Sequence, residues 1–234
     1  MELALFTSDG LLFLFRWIHF LSGVAWIGML WYFNFVQGVY FGQAEPAAKT
    51  DATKKLVPIA LWYFRWGAMF TFLSGWIYIA IRVYQSSAAL DSLTVWLASI
   101  LTGGTLGTFM WFNVWFVIWP RQKLVIAAAN GTAVENLPAI SRRAFLASRT
   151  NTLFSIPMLF FMGASSHLMN VMRVDSGHVG IWLIVMLVLV LLMEANALLA
   201  TNGVTTKPIE KVNGVITSGF VLTLVFYVLM EVVL

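Results

Sequence analysis

Cysteine is absent from this 234-residue chain. That excludes disulfides, thiolate metal sites, iron–sulfur clusters and covalently attached c-type haem. Charge is scarce too: Asp, Glu, Lys and Arg make up 10% of the residues, against about a quarter in a soluble domain. With only three histidines, any metal centre must rest on those, on methionine, on carboxylates or on the main chain. The N-terminus lacks a basic stretch and a small-residue cleavage site, so no cleaved signal peptide is expected. What is abundant is apolar surface, with 60% hydrophobic residues and a mean hydropathy of +0.85. The composition specifies a polytopic, all-α transmembrane bundle.

Runs long enough to cross about 30 Å of hydrocarbon fall at 11–40, 58–84, 93–119, 144–171, 178–200 and 212–233. They predict about six helices in a single integral membrane domain covering 1–234. Nine basic residues occupy three loops: Lys49, Lys54 and Lys55; Arg121, Lys123, Arg142 and Arg143; Lys207 and Lys211. Only Arg82 and Arg173 lie on the other side. The asymmetry places the nine in the cytoplasm and both termini outside, as in a multi-pass protein of a bacterial inner membrane. It also accounts for the net charge of +4 without nucleic acid, since the basic residues are scattered between spans. Segment 42–57 reads as a mobile polar loop. Segment 120–143 reads as a loop opening at Pro120, with Lys123–Ala129 as a short interfacial helix. Trp111, Trp115 and Trp119 read as an interfacial aromatic belt. Gly103 and Gly107 form a small-xxx-small pair. "FRW" followed by "FLSG" occurs at 15–23 and again at 64–75, a faint internal echo.

Arg16 and His19 interrupt the run "FRWIHFLSGVAWIG" at 15–28, where a charge at mid-membrane costs roughly 2.5–3.5 kcal/mol on insertion scales. With the N-terminus outside, His19 falls in the outer third of the first span and His167 near the outer end of the fourth. Gly23 follows His19 by four residues and Gly163 precedes His167 by four. Because the two spans run oppositely, both glycines lie on the cytoplasmic side of their histidine. Four helical residues rise about 6 Å, comparable to the half-width of a macrocycle. The pattern suits a haem b held between two imidazoles, with His19 and His167 ligating the iron. Gly23 and Gly163 would admit the ring edge, Arg16 would pair with a propionate, and Trp26 would wall the ring. A hydrogen-bonded interhelical histidine is the plainer alternative for each.

Arg65 and Glu194 sit at matched depth in the cytoplasmic third of their spans and are expected to neutralise each other. The alternative is a polar pocket or proton route that also draws in Arg149, Asn151 and Asn196. Pro157 should kink the fourth span.

"RTNTLFSIPMLFFMGASSH" at 149–167 resembles the corresponding stretch of membrane-bound urate hydroxylases of the PuuD type, in which an Asn-Thr pair precedes an apolar segment with Pro, Phe-x-Met and a terminal histidine. "RWIHFLSGVAWIGMLWYFNFVQ" at 16–37 is similar to the first helix of that family. The likeness covers most of 11–170 and weakens afterwards. The first span is also similar to that of HemJ-type protoporphyrinogen oxidases, whose histidine is a haem ligand. The urate-hydroxylase resemblance implies a membrane oxidoreductase that delivers electrons to cytochrome c. Here no C-terminal cytochrome c domain follows Leu234, so a separate c-type cytochrome is the implied acceptor. Set against this reading are a non-enzymatic accessory subunit of a larger membrane complex and, least favoured, a small transporter.

Overall fold

The computed structural model describes residues 3–85, 94–168 and 178–234. The last residues of the fourth expected span, 169–171, lie outside them, as does Arg173. Among the described residues the chain is helical throughout, with no strand. After a 3₁₀ turn at Ala4–Phe6, α1 spans Ser8–Gln43, α2 Pro46–Gln85 and α3 Val95–Ala129. α4 follows over Leu137–His167, then α5 over Val179–Leu199. A short α6, Lys207–Glu210, leads into α7, Val212–Val233. Helices α1, α2, α3, α5 and α7 are each long and apolar enough to cross a membrane.

Two expected loops are largely helix. Only Ala44 and Glu45 separate α1 from α2, which starts at Pro46. A proline is preorganised for the first helical position, where its missing N–H is not needed. The polar residues that suggested a loop instead make local helix contacts, such as Lys55 with Asp51 one turn away. Pro120 likewise opens no loop, for α3 runs on to Ala129. A π-helical segment, Asn113–Ile118, lies just before it. There the wider turn accommodates the backbone around the Phe116 carbonyl that a proline ring at 120 would otherwise strike. α1 contains a matching π-helical segment, Tyr32–Gln37. The chain turns back only after Ala129, where Gly131 takes a φ of +97°.

Contacts establish an alternating up-and-down order. Along α1 and α2, His19 meets Gly75, Gly23 meets Thr71, and Phe33 meets Phe64 edge-on at 5.5 Å. Along α3 and α4, Gly103 meets Met162 and Asn113 meets Asn151. At the far end of α4, Arg143 caps the C-terminus of α5, donating to the Ala197 and Ala200 carbonyls at 2.8 Å each. The start of α1 and the end of α7 therefore lie at one end of the bundle, and the nine loop lysines and arginines lie at the other, hereafter the basic end.

α4 is the central helix, packed against α1, α3, α5, α6 and α7. Its first half carries Arg149, Thr150, Asn151, Thr152 and Ser155, all buried. Such a sequence is too polar for lipid and is enclosed by its neighbours instead. Pro157 is buried within the same helix. Around α4 the apolar core gathers Trp26, Phe64, Leu106, Met110, Phe154, Phe161, Trp182 and Phe226.

Candidate functional site

The two FLSG segments of the echo pack face to face, and His19 lies at their crossing. Its Nδ1 is 2.9 Å from the Thr71 carbonyl of α2. That oxygen is one turn from Gly75, where a Cβ would come within 2.8 Å of the ring's Cε1 and 2.9 Å of Nδ1. Glycine at 75 is thus what gives the imidazole its place. An Nδ1–H donated to the carbonyl leaves the lone pair on Nε2, the state in which a histidine binds a metal.

A cavity of about 40 Å³ opens beside this ring, lined by His19 and Trp26 of α1, Trp76 of α2, Gly104 and Gly107 of α3, and Met158 and Met162 of α4 among others. Trp76 closes it on one side, donating from Nε1 to Thr108 Oγ1 at 3.1 Å. Gly107 contributes no side chain, and a Cβ there would meet nothing within 4 Å. At Gly103, by contrast, a Cβ would come within 3.2 Å of Met162. Of the expected small-residue pair, one member seats a helix and the other leaves space.

The sequence-derived residues divide between this cleft and its surroundings. His19 and Trp26 line it, and Gly23 faces Thr71 just beneath the histidine. Arg16 lies outward and is exposed; it hydrogen-bonds the Tyr78 hydroxyl with its guanidinium 4.9 Å from that ring's centre. His167 forms the exposed last turn of α4, and Gly163 is also exposed with nothing near it. The α4 side chains that reach the cleft are Met158 and Met162.

Towards the basic end, a second polar centre joins three helices. Asn113, in the π-helical segment of α3, donates to Asn151 Oδ1 of α4 at 2.9 Å. Its other amide hydrogen goes to Glu194 Oε2 of α5 at 3.0 Å. Asn151 in turn donates to the Met110 carbonyl at 2.9 Å. All three side chains are buried. Asn34, in the π-helical segment of α1, donates to Ser148 of α4 at 2.8 Å. Each π-helical segment thus turns an asparagine onto the central helix.

The expected Arg65–Glu194 pair does not form. Among the described residues the ion pairs are Lys55–Asp51 and Arg142–Glu210. Glu194 is held by Asn113, while the Arg65 guanidinium lies 4.1 Å from the ring centre of Trp119 and 5.3 Å from that of Trp115. Matched depth was not matched face, because the indoles of α3 take up the guanidinium. Asn196 donates to the Thr205 carbonyl at 3.3 Å, apart from the Asn113 network. The tryptophans are also not a simple lipid belt. Trp111 stacks on Phe72 at 4.1 Å and Trp115 meets Trp66 edge-on at 5.6 Å, so the stripe is the seam between α3 and α2.

A family described as urate oxidase N-terminal matches residues 86–230, more than half of the chain. The match includes the cleft residues of α3 and α4 and the Asn113–Asn151–Glu194 network. It continues well beyond residue 170, where the resemblance was expected to fade, and it starts after α2, so the likeness noted in α1 lies outside it. Neither a curated protein nor a solved structure matches the chain.

Proposed function

The chain belongs to the urate oxidase N-terminal family, and from that premise we propose a urate-hydroxylase-like membrane redox protein that binds haem b through His19 and passes electrons to a periplasmic cytochrome c. The observation that carries the reading is the His19 ring itself. It is oriented by a main-chain carbonyl, given room by a glycine, and turned beside a cavity with two thioethers across it.

The donor chemistry fits a haem iron, which imidazole and thioether groups can both hold. His19 supplies one ligand. For the other, α4 offers Met158 and Met162 at the cleft and His167 beyond it, five residues past Met162. The closed volume does not fit a macrocycle: about 40 Å³ accommodates a water molecule, whereas cofactor pockets run to hundreds of Å³. The reading therefore requires a wider cleft; open space lies beside Gly107, whereas a Cβ at Gly104 would already touch Ile79 and Trp76 at 3.8 Å. Thr71 and Gly75 fix the imidazole, Trp26 shields it from the basic end, and Arg16 keeps a positive charge on the outward side.

The test is the optical spectrum of detergent-solubilised protein from haem-replete cells, oxidised and then reduced with dithionite. A Soret band that moves on reduction and vanishes in His19→Ala is expected. Met162→Leu, Met158→Leu and His167→Ala identify the opposite ligand by which of them alters the reduced bands. A folded but colourless wild-type protein would end the haem reading and leave an accessory membrane subunit.

A further inference from the structure

Arg65 is a half-buried cation on α2 that has no ion pair among the described residues. Its guanidinium is boxed by the indoles of Trp66, Trp115 and Trp119. Among the described residues its buried Nε has no hydrogen-bond acceptor. The buried indole Nε1 atoms of Trp111 and Trp115 have none either. Lys123 brings a second cation to Trp119, with Nζ 5.6 Å from the ring centre. Among the described residues these buried donors meet no acceptor, an arrangement complementary to an anion rich in oxygen.

Its surroundings specify the rest of that ligand. Trp62, Tyr63 and Phe116, beside Arg65 and Trp115 in sequence, are 52%, 53% and 57% exposed. Large apolar side chains left open on a membrane helix face acyl chains. Basic pockets between spans at the positively charged end of a membrane protein are suited to acidic lipid headgroups. An arginine that hydrogen-bonds a phosphate also escapes the penalty of an unpaired charge in hydrocarbon. We propose that Arg65, Trp115, Trp119 and Lys123 form a binding site for the phosphate of an anionic phospholipid at the basic end of the bundle, its tails lying over Trp62, Tyr63 and Phe116. The site shares no residue with the His19 cleft, so the inference stands apart from the redox reading.

The experiment is thermal unfolding of delipidated, detergent-solubilised full-length protein titrated with phosphatidylglycerol, phosphatidylcholine or inorganic phosphate. The expected result is a rise in unfolding temperature with phosphatidylglycerol only. Arg65→Gln should abolish that rise. Lys123→Gln, at an exposed position that does not threaten folding, should weaken the apparent lipid affinity about fivefold, the weight of one basic residue at an anionic surface. An equal response to phosphatidylcholine or to inorganic phosphate would overturn the proposal. So would an undiminished response in Lys123→Gln, which decides the matter even where Arg65→Gln fails to fold.

Discussion

At the scale of single residues, two glycines of one cleft make opposite predictions. Gly75→Ala places a methyl within 2.9 Å of the His19 ring, so the imidazole must leave Thr71 or the helices must part. A loss of about 1–3 kcal/mol is expected, as for other overpacked cores, read as a lower unfolding temperature. Gly107→Ala meets no atom within 4 Å and should be neutral or stabilising by up to ~1 kcal/mol, since alanine favours the helix. Equal behaviour of the two variants would mean that the crossing at His19 is not as tight as described. Asn113→Ala should cost more, about 1–3 kcal/mol for each partner left unsatisfied, because Asn151 and Glu194 both lose a donor. His19 was legible as an intrusion in an apolar run, but Thr71 and Gly75 were not, for only tertiary packing selects the carbonyl and the gap that receive a ring. Asn113 does carry a sequence signal: Phe-Asn recurs at 33–34 and 112–113, and both asparagines fall in the two segments that become π-helical.

Among elements, hydropathy placed five of the six expected spans on helices long and apolar enough to cross a membrane, whereas the fourth, α4, falls short of that among the described residues; the ends of the helices did not follow from hydropathy. Polar residues after Pro46 and before Ala129 extend helices past the apolar run, because main-chain hydrogen bonding continues in water once a membrane span has nucleated the helix. The α5–α7 connection depends on charge instead. Arg142 bonds Glu210, and Thr206 adds a second donor at 3.1 Å. These contacts hold the Glu210 carboxyl below its ordinary value of 4.5. A carboxyl lowered in the folded state stabilises it fully above the unfolded value and progressively less as pH falls through the folded one. Protection of residues 200–211 from hydrogen exchange should therefore decline on acidification below about pH 4.5 more steeply in the wild type than in Glu210→Gln. Parallel profiles would remove Glu210 from the account.

For the whole molecule, loop charge predicted which ends of the helices lie together, and the packing bears out that grouping without a membrane being present. Absence of cysteine supplies the means to test its orientation. Ser8→Cys and Lys54→Cys, each exposed, should be labelled by an impermeant maleimide from opposite faces of intact cells and inverted vesicles, Ser8→Cys from outside. Hydropathy read 144–171 as one more lipid-crossing run; what it could not reveal is that α4 is the hub, whose polar middle makes sense only once five neighbours enclose it. The length of α2 has a further consequence. Forty residues rise about 60 Å at helical pitch, twice the thickness of a bilayer's oily layer. The excess must stand proud of the membrane like a mast stepped through a deck, carrying Lys49, Lys54 and Lys55 of its first turns out into water.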